Sequence, residues 1–236
     1  MLVNMKKLMT ALLSATLLIA SSAYADKVDN ALKAHDSGEY AQAIKLYKPL
    51  ALNGNANAQY ALGIMYGNGQ GVVKDYAEAL KWFKFAAAQG NALAQYGLGI
   101  MYGNGEGVVQ DYAESGNWYK LAAAQGEANA QYNLGVMYSK GEGVVQDYAE
   151  AVNWYKLAAA QAHAQAQYNL GVMYLKGLGE IENFISAHMW FNLAAIKGHK
   201  EAVNGRNVVA GLMSQQQLAQ AQNLAKECLA RKYKGC

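Results

Sequence analysis

One 36-residue unit recurs four times in register and without insertion, starting at Ala56, Ala92, Ala128 and Ala164. The second copy, ALAQYGLGIMYGNGEGVVQDYAESGNWYKLAAAQGE, and the third, ANAQYNLGVMYSKGEGVVQDYAEAVNWYKLAAAQAH, share 27 of their 36 residues. A repeat of this length is one supersecondary unit with an apolar face too small to bury by itself. Neighbouring copies must therefore stack on one another to make a core.

Within the unit, AxAQYxLGxMY spaces Ala58, Leu62, Met65 and Tyr66 as one apolar helical face. The glycines of GNGQG and its variants break that helix, because glycine alone adopts positive φ at low cost. A second helix is expected to open at Asp75, Asp111 and Asp147, each followed three residues later by Glu78, Glu114 and Glu150. That spacing is a capping box, in which each side chain bonds the other residue's backbone N–H. Asn183 takes the cap position in the fourth copy. Gly63, Gly99, Gly135 and Gly171 fall in the middle of the first helices. Glycine there costs about 1 kcal/mol against alanine, so close contact between paired helices is the expected compensation. Trp82, Trp118, Trp154 and Trp190 recur once per copy on the alanine-rich second helix, where packing outweighs service as a stacking platform.

The pattern AxAQYxLGxMYxxGxGVxxDYxEAxxWYxxAAxQG resembles the Sel-one-like repeat family, relatives of the tetratricopeptide repeats, over residues 56 to 199. The resemblance implies an all-α chain, a right-handed α/α solenoid of helix-turn-helix repeats closed by a C-terminal helical cap. Residues 56–91, 92–127, 128–163 and 164–199 are its full repeats, 26–55 a partial first repeat and 200–236 the cap. In the cap, Ser214 and Gln217 form a second kind of capping box, and Leu218, Ala221, Ala225, Cys228 and Leu229 share one face.

Reactive chemistry is not spelled out. His35, His163, His188 and His199 have no metal-ligand spacing. Some cysteine-rich members of the resembled family are linked to penicillin binding or β-lactamase activity, which keeps a cell-wall or β-lactam-directed hydrolase as the alternative. This chain, however, has no SxxK, SDN or KTG sequence and no cysteine pair in each repeat. The glycine turns follow helices rather than a strand, unlike a phosphate loop. No enzyme activity, cofactor or metal is expected. Without residues 1–25 the chain carries 18 basic residues (20 less Lys6 and Lys7) against 17 acidic, a balance that leaves no footprint for nucleic acid. With 53% apolar residues and one proline it is not the composition of a disordered chain.

Function then points to binding. In tetratricopeptide solenoids the first helices line the concave face, and here their exposed positions grow richer in amides along the chain. Asn57, Asn129, Asn133, Gln165 and Asn169, with Lys140 and Lys176 at the rim, are the candidate groove. An amide donates to and accepts from an extended peptide backbone at once, and a lysine meets a carboxylate. The plain alternative is that solvent-facing helix positions are simply polar. A protein or peptide partner is expected, or else a place as structural adaptor in a larger envelope assembly, with the chain itself a monomer.

The first 25 residues read as a secretory signal: Lys6 and Lys7, an apolar stretch from Leu8 to Ala20, and Ala23-Tyr24-Ala25 before Asp26. That stretch is shorter than the roughly 20 residues of a spanning helix, and none of that length follows, so the mature chain should lie in the periplasm or be secreted. In an oxidising compartment Cys228 and Cys236 should pair, with Lys234-Gly235 turning the chain back; the alternative is a buried thiol at Cys228 and an unpaired Cys236. The exported protein is expected to begin at Asp26. N-terminal sequencing of the secreted or periplasmic product checks this, and an intact Met1 in a soluble cytoplasmic pool would refute it.

Overall fold

A computed structural model describes residues 25–236, so the proposed secretory segment lies, but for its last residue, outside the described residues. By its contacts the chain divides into two compact units, one ending at Ala94 and one spanning Gln95–Cys236. Among the described residues there are helices and turns but no strand.

The first unit holds α1 (residues 25–36), α2 (Tyr40–Leu52), α3 (Ala56–Asn68) and α4 (Tyr76–Ala88). Ala31 and Ala34 of α1 are buried in one cluster with Ala43, Ile44 and Tyr47 of α2 and Leu62 and Met65 of α3. The segment ahead of the first full repeat is thus itself a packed helix pair. The second unit carries most of α5 (Ala92–Asn104), then α6 (Tyr112–Ala124), α7 (Ala128–Lys140), α8 (Tyr148–Ala159), α9 (Ala164–Lys176), α10 (Phe184–Ile196), α11 (Lys200–Ala210) and α12 (Gln215–Ala230). In the first unit α2 packs on α3 and α3 on α4; in the second, α6 to α10 each pack on the next in sequence, the arrangement of an α/α solenoid, and α12 packs on α10.

The mid-helix glycines are explained by a ring. A Cβ built at Gly63 would sit 2.5 Å from the Phe83 ring, at Gly135 2.5 Å from Tyr155 and at Gly171 2.6 Å from Phe191, with Tyr119 crowding Gly99 in the same way. The paired helices therefore approach until an aromatic side chain lies directly on backbone. The same rings meet a second aromatic, Tyr60 on Phe83 at 5.9 Å and Tyr132 on Tyr155 at 6.0 Å between centroids.

The turn between paired helices is pinned from outside. Gly71 has φ +73°, and a Cβ there would lie 2.6 Å from the backbone nitrogen of Ala41 at the start of α2. Gly143 and Gly179 sit against Tyr112 and Tyr148 in the same way. Both the torsion and the contact demand glycine.

The second helices are capped as expected on one side only. Asp75 accepts from Glu78 N at 3.0 Å, Asp111 from Glu114 N at 3.0 Å, and Asp147 from Glu150 N at 3.0 Å. The reciprocal bond of a capping box does not form, because the cap's own N–H is already taken. Asp75 donates to Tyr66 O, Asp111 to Tyr102 O and Asp147 to Tyr138 O, each at 2.9 Å. This bond latches the turn to the first helix, which a glutamate carboxylate would not do. A complete box stands at Ser214 and Gln217, where α12 opens.

A buried glutamine stitches neighbouring pairs. Gln59 Nε2 donates to Ala51 O at 2.9 Å, and Gln89 Nε2 donates to Gln59 Oε1 at 2.7 Å. Gln131 and Gln161 repeat the bonds in the second unit, to Ala123 O at 3.2 Å and between the amides at 2.9 Å. In the fourth repeat Lys197 replaces the donor, leaving the fully buried Gln167 with Oε1 unpaired.

Trp82 and Trp190 are buried and Trp118 and Trp154 half-buried, so the tryptophans pack rather than form a platform. At the C-terminus α12 lies on α10 through Ala225 and Cys228, and Leu193 is fully buried there, whereas Leu157 at the same repeat position is half exposed. Cys228 and Cys236 are joined as a disulfide with Cα atoms 5.5 Å apart. The chain turns back through Lys232 and Tyr233, both at positive φ, ahead of Lys234 and Gly235.

Two measurements follow from this packing. Gly63→Ala should destabilise the fold by about 1–3 kcal/mol, the ordinary cost of overpacking, while Gly67→Ala in the same helix should be neutral or stabilise by up to about 1 kcal/mol. A Cβ at Gly67 meets only Ala79, at 3.6 Å; denaturant titration ranks the two, and equal effects would refute the ring-on-glycine account. Thiol counting on unreduced, denatured protein should find no free cysteine, and reduction should cost about 2–3 kcal/mol in the loop-entropy model.

Candidate protein-binding face

The candidate groove residues divide between the two units. Asn57 is exposed on α3 in the first; its Oδ1 accepts from Asn91 Nδ2 at 3.1 Å, and Asn91 in turn caps α5 through Ala94 N at 2.9 Å. The other six lie in the second unit, on α7 and α9.

Asn129 is exposed at the start of α7 but not idle. Its Nδ2 donates to Glu127 at 2.8 Å, and its Oδ1 lies 3.3 Å from His163 Nε2. His163 caps α9 by accepting from Ala166 N at Nδ1, 3.2 Å away, and its ring stacks on Tyr132 with centroids 4.8 Å apart. That bonding assigns the proton to Nε2. Burial holds the His163 pKa below the ordinary range, which keeps the ring neutral and the cap intact.

Asn133 and Asn169 are only half exposed, and each bonds a tyrosine hydroxyl of the preceding second helix. Asn133 meets Tyr119, which Ser115 also bonds, and burial pushes that phenol up to about 12 even though both hydrogen bonds act to lower it. Asn169 meets Tyr155, whose pKa burial likewise raises against the bonds from Ser139 and Asn169. These two asparagines therefore join one repeat to the next, and truncating either leaves a buried hydroxyl with one partner fewer.

Sequence reading did not find these tyrosines, yet the signal is present. Tyr119 and Tyr155 are followed fourteen residues later by Asn133 and Asn169, whereas Phe83 and Phe191 are followed at that spacing by Gly97 and Gly205. A hydroxyl comes with an amide; a bare ring comes with no side chain. In the second unit Gly205 shows why, since a Cβ there would lie 3.0 Å from the Phe191 ring.

Lys140 and Asn133 border one shallow cleft of about 320 Å³, floored by Tyr119 and walled by Tyr112, Ser115 and Glu142. Lys140 Nζ is 3.5 Å from Glu142. Gln165 and Lys176 are exposed one repeat further on, on α9. The surface thus presents amides and ammonium groups beside an aromatic floor. Among the described residues no three His, Cys, Asp or Glu side chains cluster as a metal site, and no helix is long and apolar enough to cross a membrane.

The Sel1 repeat pattern matches residues 56–91, 92–127, 128–163 and 164–199. Among solved structures, the chain is similar to a protective antigen of uropathogenic Escherichia coli strains displaying an SLR fold, with 35% identity and TM-score 0.73 over 82% of this chain and 41% of that one. It thus spans less than half the length of that antigen. A Sel1 repeat protein from Oxalobacter formigenes is similar at 32% identity and TM-score 0.70, over 73% of this chain and 71% of its own. A third, from Klebsiella pneumoniae, shares the fold at 23% identity and TM-score 0.50, over 76% and 89% of the two chains. No curated protein matches. With four matched copies filling more than half of its length, and relatives of the same architecture at about a third identity, the chain belongs to the Sel1 repeat family.

Proposed function

We propose that this protein is an exported interaction scaffold whose α7 and α9 faces hold an extended segment of a partner polypeptide. Sel1 repeat proteins are generally scaffolds for protein interaction, and no cofactor enters the reading. One observation carries the finer reading: Asn129 and Lys140 on α7, and Gln165 and Lys176 on α9, are exposed at matching positions one repeat apart. Asn129 is held in place by Glu127 and His163, so its ordering cost is partly met before a ligand arrives. A strand laid across successive first helices would meet an amide at each step and a lysine at each rim.

Export is supported by the signal-like first 25 residues and by the C-terminal disulfide, which suits an oxidising compartment. The periplasm or the cell exterior is the proposed location, with the partner in the envelope or beyond it.

The variant Asn129→Ala, Lys140→Glu, Gln165→Ala, Lys176→Glu should lose partner binding by at least about tenfold, since charge reversal at a rim both weakens and repels. Its stability should move by no more than about 0.5 kcal/mol per site, as exposed substitutions do. Crosslinking and affinity capture from the envelope fraction, followed by titration of the captured partner, measure the first; thermal denaturation measures the second. Undiminished affinity in a stable variant would move the site off this face.

A further inference from the structure

The C-terminal helices break the repeat pattern at two core positions. The seventh residue of each repeat is a fully buried leucine, Leu62, Leu98, Leu134 and Leu170. In α11 the same register, fixed by the fully buried Ala202 at the third position, puts Arg206 there. At the twenty-fifth position Leu80, Gly116 and Val152 give way to His188 in α10, which is 3% exposed. A guanidinium and an imidazole have replaced apolar groups at one interface.

Both line a single cleft of about 520 Å³ between α10, α11 and α12, with Asn192 and Lys226 beside them and Ile196 and Leu229 as aliphatic wall. Arg206 donates to Asn192 Oδ1 at 3.1 Å and to Asn207 Oδ1 at 3.4 Å, both neutral amides. It has no ion pair with a carboxylate among the described residues. His188 Nδ1 is shut off from solvent without a hydrogen-bond partner. Burial, and then the Arg206 charge, hold its pKa low, so the ring is neutral. A cation that lines a cleft, bonded only to neutral amides and paired with no carboxylate, is an arrangement that an anion completes.

We propose that this cleft is a binding site for a carboxylate carrying a short branched aliphatic group, such as the C-terminal residue of a polypeptide or a small organic acid. The planar guanidinium fork of Arg206 takes the carboxylate, a geometry it matches better than an ammonium does. His188 lines the same cleft as a neutral ring, Lys226 adds charge beside it, and the aliphatic chain lies along Ile196 and Leu229. The site is on other helices than α7 and α9 and stands or falls apart from the groove.

Titration of the full chain with Ala-Leu dipeptide, its C-terminal amide, 4-methylpentanoate and inorganic phosphate tests this, followed by the His188 ring resonances and by calorimetry. Both carboxylates should bind and shift His188, and the amide should not. Arg206→Gln should weaken binding by about tenfold or more, since a charge-assisted pair is lost. His188→Val, which restores the residue type at Val152, should weaken it while leaving the thermal midpoint unchanged, so that a misfolded Arg206 variant does not decide the matter. Equal affinity for 4-methylpentanoate and Ala-Leu assigns the site to small acids, and tighter dipeptide binding assigns it to polypeptide C-termini. Binding of the amide as well as the acid, phosphate as well as the carboxylates, no shift at His188, or affinity that survives both substitutions would overturn the proposal.

Discussion

The fold rests on an aromatic ring packed against a glycine. Phe83, Tyr119, Tyr155 and Phe191 each occupy the space where a Cβ of Gly63, Gly99, Gly135 or Gly171 would stand. The helix pair is thereby closer than any side chain at that position would allow. Glycine in a helix is unfavourable by about 1 kcal/mol, and the buried ring, with its dispersion contacts and aromatic neighbour, offsets that cost. Because the pair in each of the four repeats is closed in this way, successive repeats within the second unit present nearly the same surface to one another.

Polar bonds then set the register in which the pairs stack. The buried Gln59, Gln131 and Gln167 each reach a carbonyl at the end of the previous second helix, satisfying a group that the helix end leaves open. Apolar packing alone would permit sliding; a glutamine that must find one carbonyl does not. The N–H of each second-helix cap is spent on a tyrosine carbonyl, so the turn, the cap and the first helix form one hydrogen-bonded unit. In the same economy of donors, Asn133 and Asn169 serve the tyrosine hydroxyls before they serve any ligand.

The last helices end the series by changing its chemistry. Leu193 is fully buried where Leu157 is half exposed, because α12 covers the α10 surface that the earlier second helices leave open. Lys197 abandons the glutamine stitch and reaches over the Tyr233 ring at 5.4 Å, on the tail that the disulfide ties to Cys228. Cys228 is itself buried in the cluster that joins α12 to α10, so the tie fixes the tail to that packed face. Arg206 and His188 belong to this region, where the repeat pattern no longer dictates an apolar residue.

Sequence alone determined the repeat, its helix pair, the glycine break, the cap aspartates and the family, because periodicity and turn chemistry are local and are written four times over. It also pointed to close packing at Gly63 and its equivalents, since a costly residue kept in register needs a reason. What only the tertiary structure decided is which partner each polar group finds. Asp75 and Glu78 have the spacing of a reciprocal box, yet the Asp75 N–H meets Tyr66 O from another helix first. Asn133 and Asn169 read as solvent-facing amides beside Asn129 and Gln165, and are half-buried because Tyr119 and Tyr155 reach them from the preceding repeat. His188 and Arg206 are 18 residues apart in sequence and become one cleft only when α11 and α12 fold over α10. Helical spacing says which face a residue occupies; the bonds it makes depend on what another segment brings to that face, and that is a property of packing.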